Sequence, residues 1–393
     1  MIVRHFLGWV RTAPAGERAE ATRALARAYL FSDMSSDDFA ATEGALLLLL
    51  DDPSPLVREA MAAVFAYTAD APPAIVRALS SDQASVAIPV LEHSPLLLDA
   101  DLVDIVATGS SDIQCAVARR LALPTPVCAA IAEVGSVDAC LTLVDNPDAE
   151  LAQISLDRIV ERFGHIAEVR ESLLQSHELP AATRLALVGK LSGALVNFVT
   201  QRNWLSAERA EMVASEACER SMVNIAANSP GSDLRALIRH LRETGQLTAA
   251  LILRALLSGN TDMFEFALVE LSGMTEARVA AILHERGGSG LTALLTRAGL
   301  PQSTFAAFRA ALSATEEIGF IGTVDGAARL RRRMVERVLT SCAQDAVTTE
   351  ALLTLLRRFE MESAREEARV FCDELVAAQT IGGLDGDDHL IAA

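Results

Sequence analysis

The sequence predicts an all-α fold, and three observations lead to that prediction. Hydrophobic residues form 51% of the 393-residue chain, whereas aromatic residues form only 4%. The core must therefore be filled by small and aliphatic side chains, which suit helices better than strands. Aspartates recur at a constant interval in the first half, and apolar residues follow helical spacing through most of the chain. These patterns predict short helices that pack in series.

The repeat in the first half begins with an aspartate. Asp52, Asp82 and Asp112 are spaced at thirty-residue intervals. Apolar residues stand five and nine positions after each aspartate, at Val57 and Met61, Ala87 and Leu91, and Val117 and Leu121. A separation of four places both apolar residues on one helix face, and aspartate suits an N-cap or the turn before it. Each unit is therefore predicted to start with a turn and an inward-facing helix.

A second helix completes each unit. The helical stretches between the repeated segments are 39–50, 73–79 and 101–108. A pair of short helices cannot bury its apolar side alone, so neighbouring pairs must share a continuous core. We therefore expect a HEAT-like α-solenoid over residues 37–178, with repeats shorter than the roughly forty residues of HEAT units. Residues 1–36 are expected to cap it, and the pattern continues in 126–134, 137–144 and 149–163.

The second half keeps helical periodicity but loses the thirty-residue interval. A second helical lobe is predicted over residues 179–312, with helices at 232–243, 246–257, 261–271, 275–285 and 291–298. Gly245 is expected to end the first of these helices. Residues 313–393 are predicted to hold C-terminal helices at 324–339 and 348–377 and an acidic tail from Gly382. Two short segments, 195–200 and 318–326, resemble strands and are interpreted as connectors.

Five segments of the chain have a recognisable pattern of leucine-rich helices and turns: 46–60, 93–98, 116–120, 247–260 and 291–301. With these segments the chain resembles, over about residues 35–312, an uncharacterised bacterial family, a domain of unknown function. This resemblance implies a HEAT-like helical array. It brings no established catalytic residue, so it leaves the function open.

Charge and hydropathy restrict the partners. The formal net charge is −18, and a surface of that sign repels nucleic-acid phosphates and anionic membranes. The longest uninterrupted apolar run is Ala60–Tyr67, far below the roughly 20 residues that span a bilayer. The N-terminal segment does not have the pattern of a secretory signal. We expect a cytoplasmic protein without a membrane-spanning segment and without a nucleic-acid partner.

No pattern in the sequence indicates catalysis. The six cysteines lack CxxC spacing and are interpreted as reduced core residues. None of the seven histidines stands in an HxxxH or HExxH frame. We therefore expect neither a metal site nor a cofactor.

Arg235, Arg239 and Arg242 share one face of a predicted amphipathic helix, opposite its apolar residues. One interpretation is a solvated face that pairs with acidic neighbours such as Glu243, and the other is a site for an anion or an acidic peptide. A second cluster of arginines surrounds one predicted helix, so its side chains cannot all point the same way. It consists of Arg329, Arg331, Arg332, Arg333 and Arg337.

Trp204 lies near the expected joint between the lobes. It is interpreted as a buried anchor of that joint, with a partner-binding hot spot as the alternative.

These observations favour a protein-binding module, an adaptor or scaffold that presents an extended helical surface to a partner protein. The partner-binding residues expected are Arg235, Arg239, Arg242 and Trp204. Two alternatives stay open: an enzyme with carboxylates in a concave groove, and a structural protein that self-associates as a homo-oligomer. Charge reversal of Arg239 and Arg242 is expected to weaken capture of a partner.

Overall fold

A computed structural model describes residues 8–384, apart from residue 11 and segments 176–178, 286–287, 319–323 and 345–348. Within these residues the regular structure is helical, and the one β-type pairing is an isolated bridge between Leu123 and Ala149. The predicted all-α class is therefore confirmed. The chain divides into two compact units, Met1–Leu179 and Pro180–Ala393.

The first unit consists of short helices joined by tight turns. They are α1 (Ala15–Phe31), α2 (Ser36–Leu49), α3 (Pro55–Phe65), α4 (Pro73–Ser80), α5 (Ala84–His93), α6 (Asp99–Thr108), α7 (Ser111–Ala118), α8 (Thr125–Val134), α9 (Val137–Val144), α10 (Gln153–Phe163) and α11 (Ala167–Gln175). Proline in the first turn starts α3, α4 and α8, because its fixed φ suits that position and its missing N–H is not needed there. Ser136 starts α9, and its hydroxyl accepts a hydrogen bond from the Ala139 N–H.

Helices in the first unit pack against the next helix but one. Helix α1 contacts α3, α3 contacts α5, α5 contacts α7, α7 contacts α9, and α9 contacts α11. A second row is formed by α6, α8 and α10. This packing buries Val57, Met61, Ala87 and Leu91 completely, as their spacing predicts.

The third repeat departs from the prediction at Leu121. Its side chain is 76% exposed, because α7 ends at Ala118 and the ninth position after Asp112 lies beyond the helix. Val117, the fifth position, is fully buried. The repeat is therefore regular in its first two units and shortened in the third.

Side chains from one pair of helices also cap helix ends in the preceding pair. The Arg162 guanidinium donates hydrogen bonds of 2.7 Å to the carbonyl oxygens of Ala132 and Gly135. Asn146 Nδ2 donates to the Ala118 carbonyl at 2.8 Å, and Arg120 Nη2 donates to the Ser94 carbonyl at 2.7 Å. These contacts satisfy carbonyl groups that a helix end leaves without an intrahelical partner.

The second unit contains longer helices. They are α12 (Ala181–Gln201), α13 (Ala207–Ala227), α14 (Gly231–Glu243), α15 (Ala249–Leu257), α16 (Thr261–Ser272), α17 (Glu276–His284), α18 (Gly288–Arg297), α19 (Phe305–Ile318), α20 (Val324–Ala343) and α21 (Glu350–Leu384). A 3₁₀ turn, Gln302–Thr304, precedes α19. Gly245 adopts a left-handed φ of 70° just after α14, which confirms the predicted end of that helix.

One hydrophobic core joins the helices of the second unit. It extends from Ala181 on α12 to Phe359 on α21, and it includes Val335 and Val338 on α20. Among the described residues, this core therefore includes side chains on both sides of residue 312. The C-terminal helices complete the same core as the helices before them.

Both strand-like segments of the sequence fall in this unit. Segment 195–200 is helical within α12, so its interpretation as a connector is wrong; helical packing against α13 overrides its strand-like composition. Of segment 318–326, residues 319–323 lie outside the described residues. Residues 385–393 of the expected acidic tail also lie outside them.

The cysteines are all free in the structure. Cys115, Cys128, Cys140 and Cys342 are buried, as predicted for core residues. Cys372 on α21 is exposed, so the prediction is wrong for this residue, which lies beyond the last core contacts of its helix. Cys218 is half-buried.

Candidate functional site

A helical hairpin formed by α12 and α13 extends beyond the core of the second unit. The core includes Ala181, Ala182 and Leu185 of α12, and Val223 and Ala226 of α13. Between residues 188 and 222, only Ala210 is buried. We call residues 188–222 the outer hairpin. Here the two helices pack on each other, and α12 leaves its other face open. On α13, Glu216 and Glu219 form ion pairs with arginines of α15 and α21.

The tip of the outer hairpin has a defined backbone conformation. Asn203 adopts a left-handed φ of 55°, a conformation that asparagine tolerates better than most residues. The Trp204 N–H donates to the Val199 carbonyl at 3.0 Å, and the Asn203 N–H donates to the Thr200 carbonyl at 3.0 Å. These two bonds form a Schellman motif that ends α12. The Ser206 hydroxyl then caps α13.

Large apolar side chains form an exposed stripe on the outer hairpin. Leu191, Leu195 and Phe198 follow i, i+4, i+7 spacing and share one face of α12. The Trp204 ring packs edge-on against Phe198, with 5.6 Å between ring centroids. All four are exposed, from 42% for Leu191 to 63% for Trp204. We call these four residues the apolar stripe.

A cation lies beside the aromatic end of the stripe. The Arg202 guanidinium carbon is 3.9 Å from the ring centroid of Phe198 and 5.3 Å from that of Trp204. Such stacking is favourable and keeps the charged group next to both rings. The tip therefore combines two aromatic rings with an arginine.

The expectation that Trp204 is a buried anchor is wrong. The hairpin carries its tip away from the core, because core contacts of α12 end near Leu187. Composition alone could not show this, since a tryptophan between two apolar helices is usually interior.

Among the residues described, α12 is the one helix whose length and composition would allow it to cross a membrane. Its best 18-residue window has a mean hydropathy of 1.2 and is 22% buried. The sequence predicts no such segment, because its longest uninterrupted apolar run, Ala60–Tyr67, is far shorter than a bilayer-spanning helix.

The structure places the three predicted arginines on α14, opposite the buried residues Leu234, Leu237, Ile238 and Leu241. Arg235 pairs with Glu276 at 2.7 Å, and Arg242 pairs with Glu270 at 2.7 Å. Arg239 is exposed and makes no ion pair with the described residues. Two of the three cations are thus neutralised by neighbouring helices rather than by Glu243.

A cavity of 830 Å³ opens between α13, the α15–α16 turn, α20 and α21. Its lining includes six arginines: Arg209, Arg220, Arg254, Arg331, Arg365 and Arg369. Four carboxylates accompany them: Glu216, Asp262, Glu362 and Glu366. Of these arginines, only Arg331 belongs to a cluster that is visible in the sequence, since the others come together through tertiary contacts between distant helices.

Carboxylates with the properties of a catalytic acid do not converge on this cavity. Among the residues described, one carboxylate, Glu265 on α16, has a raised pKa, caused by burial and by the charges of Glu276 and Asp262. Glu265 does not line the cavity. Among all the residues that the structure describes, no group of three or more His, Cys, Asp or Glu side chains is placed to hold a metal ion.

Comparison with known families identifies the chain. The model of a family described as an uncharacterised protein conserved in bacteria (DUF2336) matches residues 86–348. This match covers more than half of the chain, so the chain belongs to that family, and it confirms the family resemblance of the sequence. Neither the curated proteins nor the solved structures that were compared match this chain.

Proposed function

We propose that this protein is a non-catalytic interaction module that binds a partner protein through the apolar stripe on its outer hairpin. The exposed stripe is the observation that carries the proposal. Contiguous apolar side chains on a folded surface are typical of interaction sites, because water is released from them when a partner binds.

The composition of the hairpin tip fits a binding hot spot. Tryptophan and arginine are enriched among residues that dominate binding energy, and Trp204, Phe198 and Arg202 lie together here. The i, i+4, i+7 spacing of the α12 side chains suits an apolar groove or a helix pair on the partner. A partner carboxylate beside Arg202 would add a charged contact at the rim.

A protein fits this surface better than a lipid bilayer does. Helix α13 packs along α12 and carries Glu208, Arg209, Glu211 and Glu216, which are costly to place in hydrocarbon. The hairpin can therefore offer the apolar face of α12 to a partner without moving α13 out of water.

The first unit supports the scaffold part of the proposal. We interpret α1–α11 as a HEAT-like α-solenoid with short repeats, because alternate helices pack in series and share buried positions. A cytoplasmic location is part of the same proposal, and the free buried cysteines agree with a reducing compartment.

The arginine stripe of Arg235, Arg239 and Arg242 is a second proposed contact. Its contribution is expected to be smaller, because Arg235 and Arg242 would have to leave Glu276 and Glu270 to bind a partner. The variant Arg239→Glu with Arg242→Glu tests it.

Two variants of the full chain test the proposed function. Leu195→Glu with Trp204→Glu places charge on the apolar stripe. Leu121→Glu with Leu174→Glu makes the same change at exposed leucines of the first unit, 76% and 60% accessible. We expect both variants to keep the helical circular dichroism of the wild type, and only the stripe variant to lose the proteins that co-purify from the bacterial host.

Each alternative gives a different result. Equal co-purification with both variants would contradict the assignment of the stripe. Loss of a concentration-dependent increase in sedimentation coefficient, without loss of another protein, would indicate self-association instead.

A further inference from the structure

We infer that the arginine-lined cavity of the second unit binds a small organic ligand with at least two adjacent phosphate groups. This inference concerns a different surface from the apolar stripe and does not depend on the proposed protein partner.

The charge around this cavity is opposite in sign to that of the whole chain. The chain carries a net charge of −18, yet arginines outnumber carboxylates by six to four around this cavity. A cationic cavity in an anionic protein concentrates anions locally. Guanidinium groups bind phosphate oxygens in a bidentate, planar geometry.

The four arginines at the rim are available for a ligand. Arg209 and Arg220 lie on α13, and Arg365 and Arg369 lie on α21. All four side chains are exposed, and none makes an ion pair with another described residue. Other arginines of the second unit, such as Arg235, Arg242 and Arg332, are paired with a carboxylate.

Ion pairs, buried at Arg254 and partly exposed at Arg331, organise the floor of the cavity. Arg254 is 5% exposed and binds Glu362 at 2.5 Å and Glu219 at 3.1 Å, so it joins α13 to α21 through α15. Arg331 binds Glu366 at 2.7 Å. Both Arg254 and Arg331 keep a buried Nε–H group without an acceptor. The two walls that carry the rim arginines are thus held in place before a ligand binds.

Size and spacing define the class of ligand. The volume of 830 Å³ lies in the range of about 300–1,000 Å³ that is typical of small-molecule sites. Arg365 and Arg369 are about 6 Å apart along the axis of α21, which suits neighbouring phosphate groups. Asp262, at the start of α16, also lines the cavity and offers an acceptor for a hydroxyl or amino group. An organic diphosphate meets these requirements better than an extended acidic peptide.

Calorimetric titration of the full chain tests this inference with defined probes. The probes are ADP, inorganic pyrophosphate, orthophosphate and a polyglutamate peptide, each at the same ionic strength. We expect one-to-one binding of ADP and pyrophosphate, with both bound more tightly than orthophosphate and polyglutamate.

Paired variants locate the binding. Arg365→Ala with Arg369→Ala, and separately Arg209→Ala with Arg220→Ala, should each weaken ADP binding by about tenfold or more. Arg278→Ala with Arg333→Ala is the matched control, since both arginines are exposed, unpaired with described residues and outside the cavity. The affinity of this control variant for ADP should stay within about twofold of the wild-type affinity.

Several results would overturn the inference. They are no binding of either diphosphate, equal weakening by the cavity and control variants, or orthophosphate bound as tightly as pyrophosphate. Tighter binding of polyglutamate than of ADP would assign the cavity to an acidic protein segment instead. Unfolding curves of the variants check that they remain folded, which we expect because none of the substituted side chains belongs to the core.

Discussion

Arg18 on α1 forms a bidentate ion pair with Asp52, the residue that begins the first predicted repeat. The Nε–Oδ2 distance is 2.8 Å and the Nη2–Oδ1 distance is 2.7 Å. The next repeat has the same arrangement, in which Arg58 on α3 binds Asp82 at 2.5 and 3.0 Å. In each case the arginine is the fourth residue of its helix, and its aspartate precedes the helix packed against it.

The third repeat lacks this pair. The fourth residue of α5 is Ala87, which cannot reach an aspartate. Asp112 is accordingly exposed, and its side chain makes no hydrogen bond or ion pair with the described residues. The thirty-residue interval of aspartates therefore corresponds to a structural link in two repeats and to a solvated helix start in the third.

Removal of the first link should destabilise the protein. Asp52→Ala leaves the Arg18 guanidinium without its carboxylate, and the Asp52 side chain is only 6% exposed. We expect a loss of about 3 kcal/mol in the free energy of unfolding, measured by urea denaturation. Asp112→Ala is the matched control and should cost less than about 1 kcal/mol. Equal losses in the two variants would contradict the structural role of the pair.

Stability should depend on pH through the same aspartates. Burial alone would raise the pKa of Asp52, but hydrogen bonds from Arg18 and the Ser54 N–H, with the charges of Arg18 and Arg58, lower it below 3.8. Burial alone would also raise the pKa of Asp82. Hydrogen bonds from Arg58 and the Gln83 N–H, with the charge of Arg58, outweigh burial and leave this pKa lowered. A lowered folded-state pKa gives stability that is complete above the ordinary value and is lost as pH falls through the folded-state value.

The urea midpoint should therefore decline below about pH 4 in the wild type. In the variant Asp52→Asn with Asp82→Asn the decline should be smaller, because these two groups no longer titrate. Parallel curves for the two proteins would show that other groups control the acid response.

Thiol reactivity should follow burial. Burial raises the pKa of Cys128 to about 11, and it raises the pKa of Cys140 to about 11 although Arg162 lowers it in part. At about pH 8 very little of either thiol is ionised, and neither is accessible. Iodoacetamide should modify Cys372 first in the native protein, and Cys128 and Cys140 only after unfolding, as peptide mass spectrometry can follow.

Cys372→Ser provides the control for that experiment. The variant should lose the fastest labelling reaction and keep the wild-type unfolding curve. Native-state labelling of Cys128 at the rate of Cys372 would contradict its burial.

Arg254 should be important for the stability of the second unit. It joins Glu219 and Glu362, and its guanidinium carbon is 4.3 Å from the ring centroid of Phe359. Arg254→Ala leaves two carboxylates in a partly buried site, so we expect a loss of about 3 kcal/mol by urea denaturation. Arg278→Ala, at an exposed arginine on α17, should change stability by less than about 0.5 kcal/mol. Similar losses in both variants would show that the buried pairs are not essential.

Helices were predictable from the sequence because their signals are local. Proline before Val57, the spacing of Val57 and Met61, and Gly245 after α14 each act within a few residues of the element they define. Leu121 was mispredicted because the spacing rule does not state where a helix ends.

The site depends on tertiary placement, which local patterns do not contain. Arg254 and Glu362 are 108 residues apart in the chain, so no spacing rule joins them. The exposure of Trp204 follows from the hairpin extending past its core contacts, and a hydropathy pattern records apolar residues but not what covers them.

Site-specific photo-crosslinking in the bacterial host tests the central proposal most directly. A photoreactive phenylalanine analogue replaces Phe198 in the apolar stripe, or replaces Leu121 in the first unit as the control. We predict a discrete adduct with another protein from position 198 and none from position 121. The absence of an adduct at position 198, or the same adduct from both positions, would contradict the assignment of the outer hairpin as the partner-binding surface.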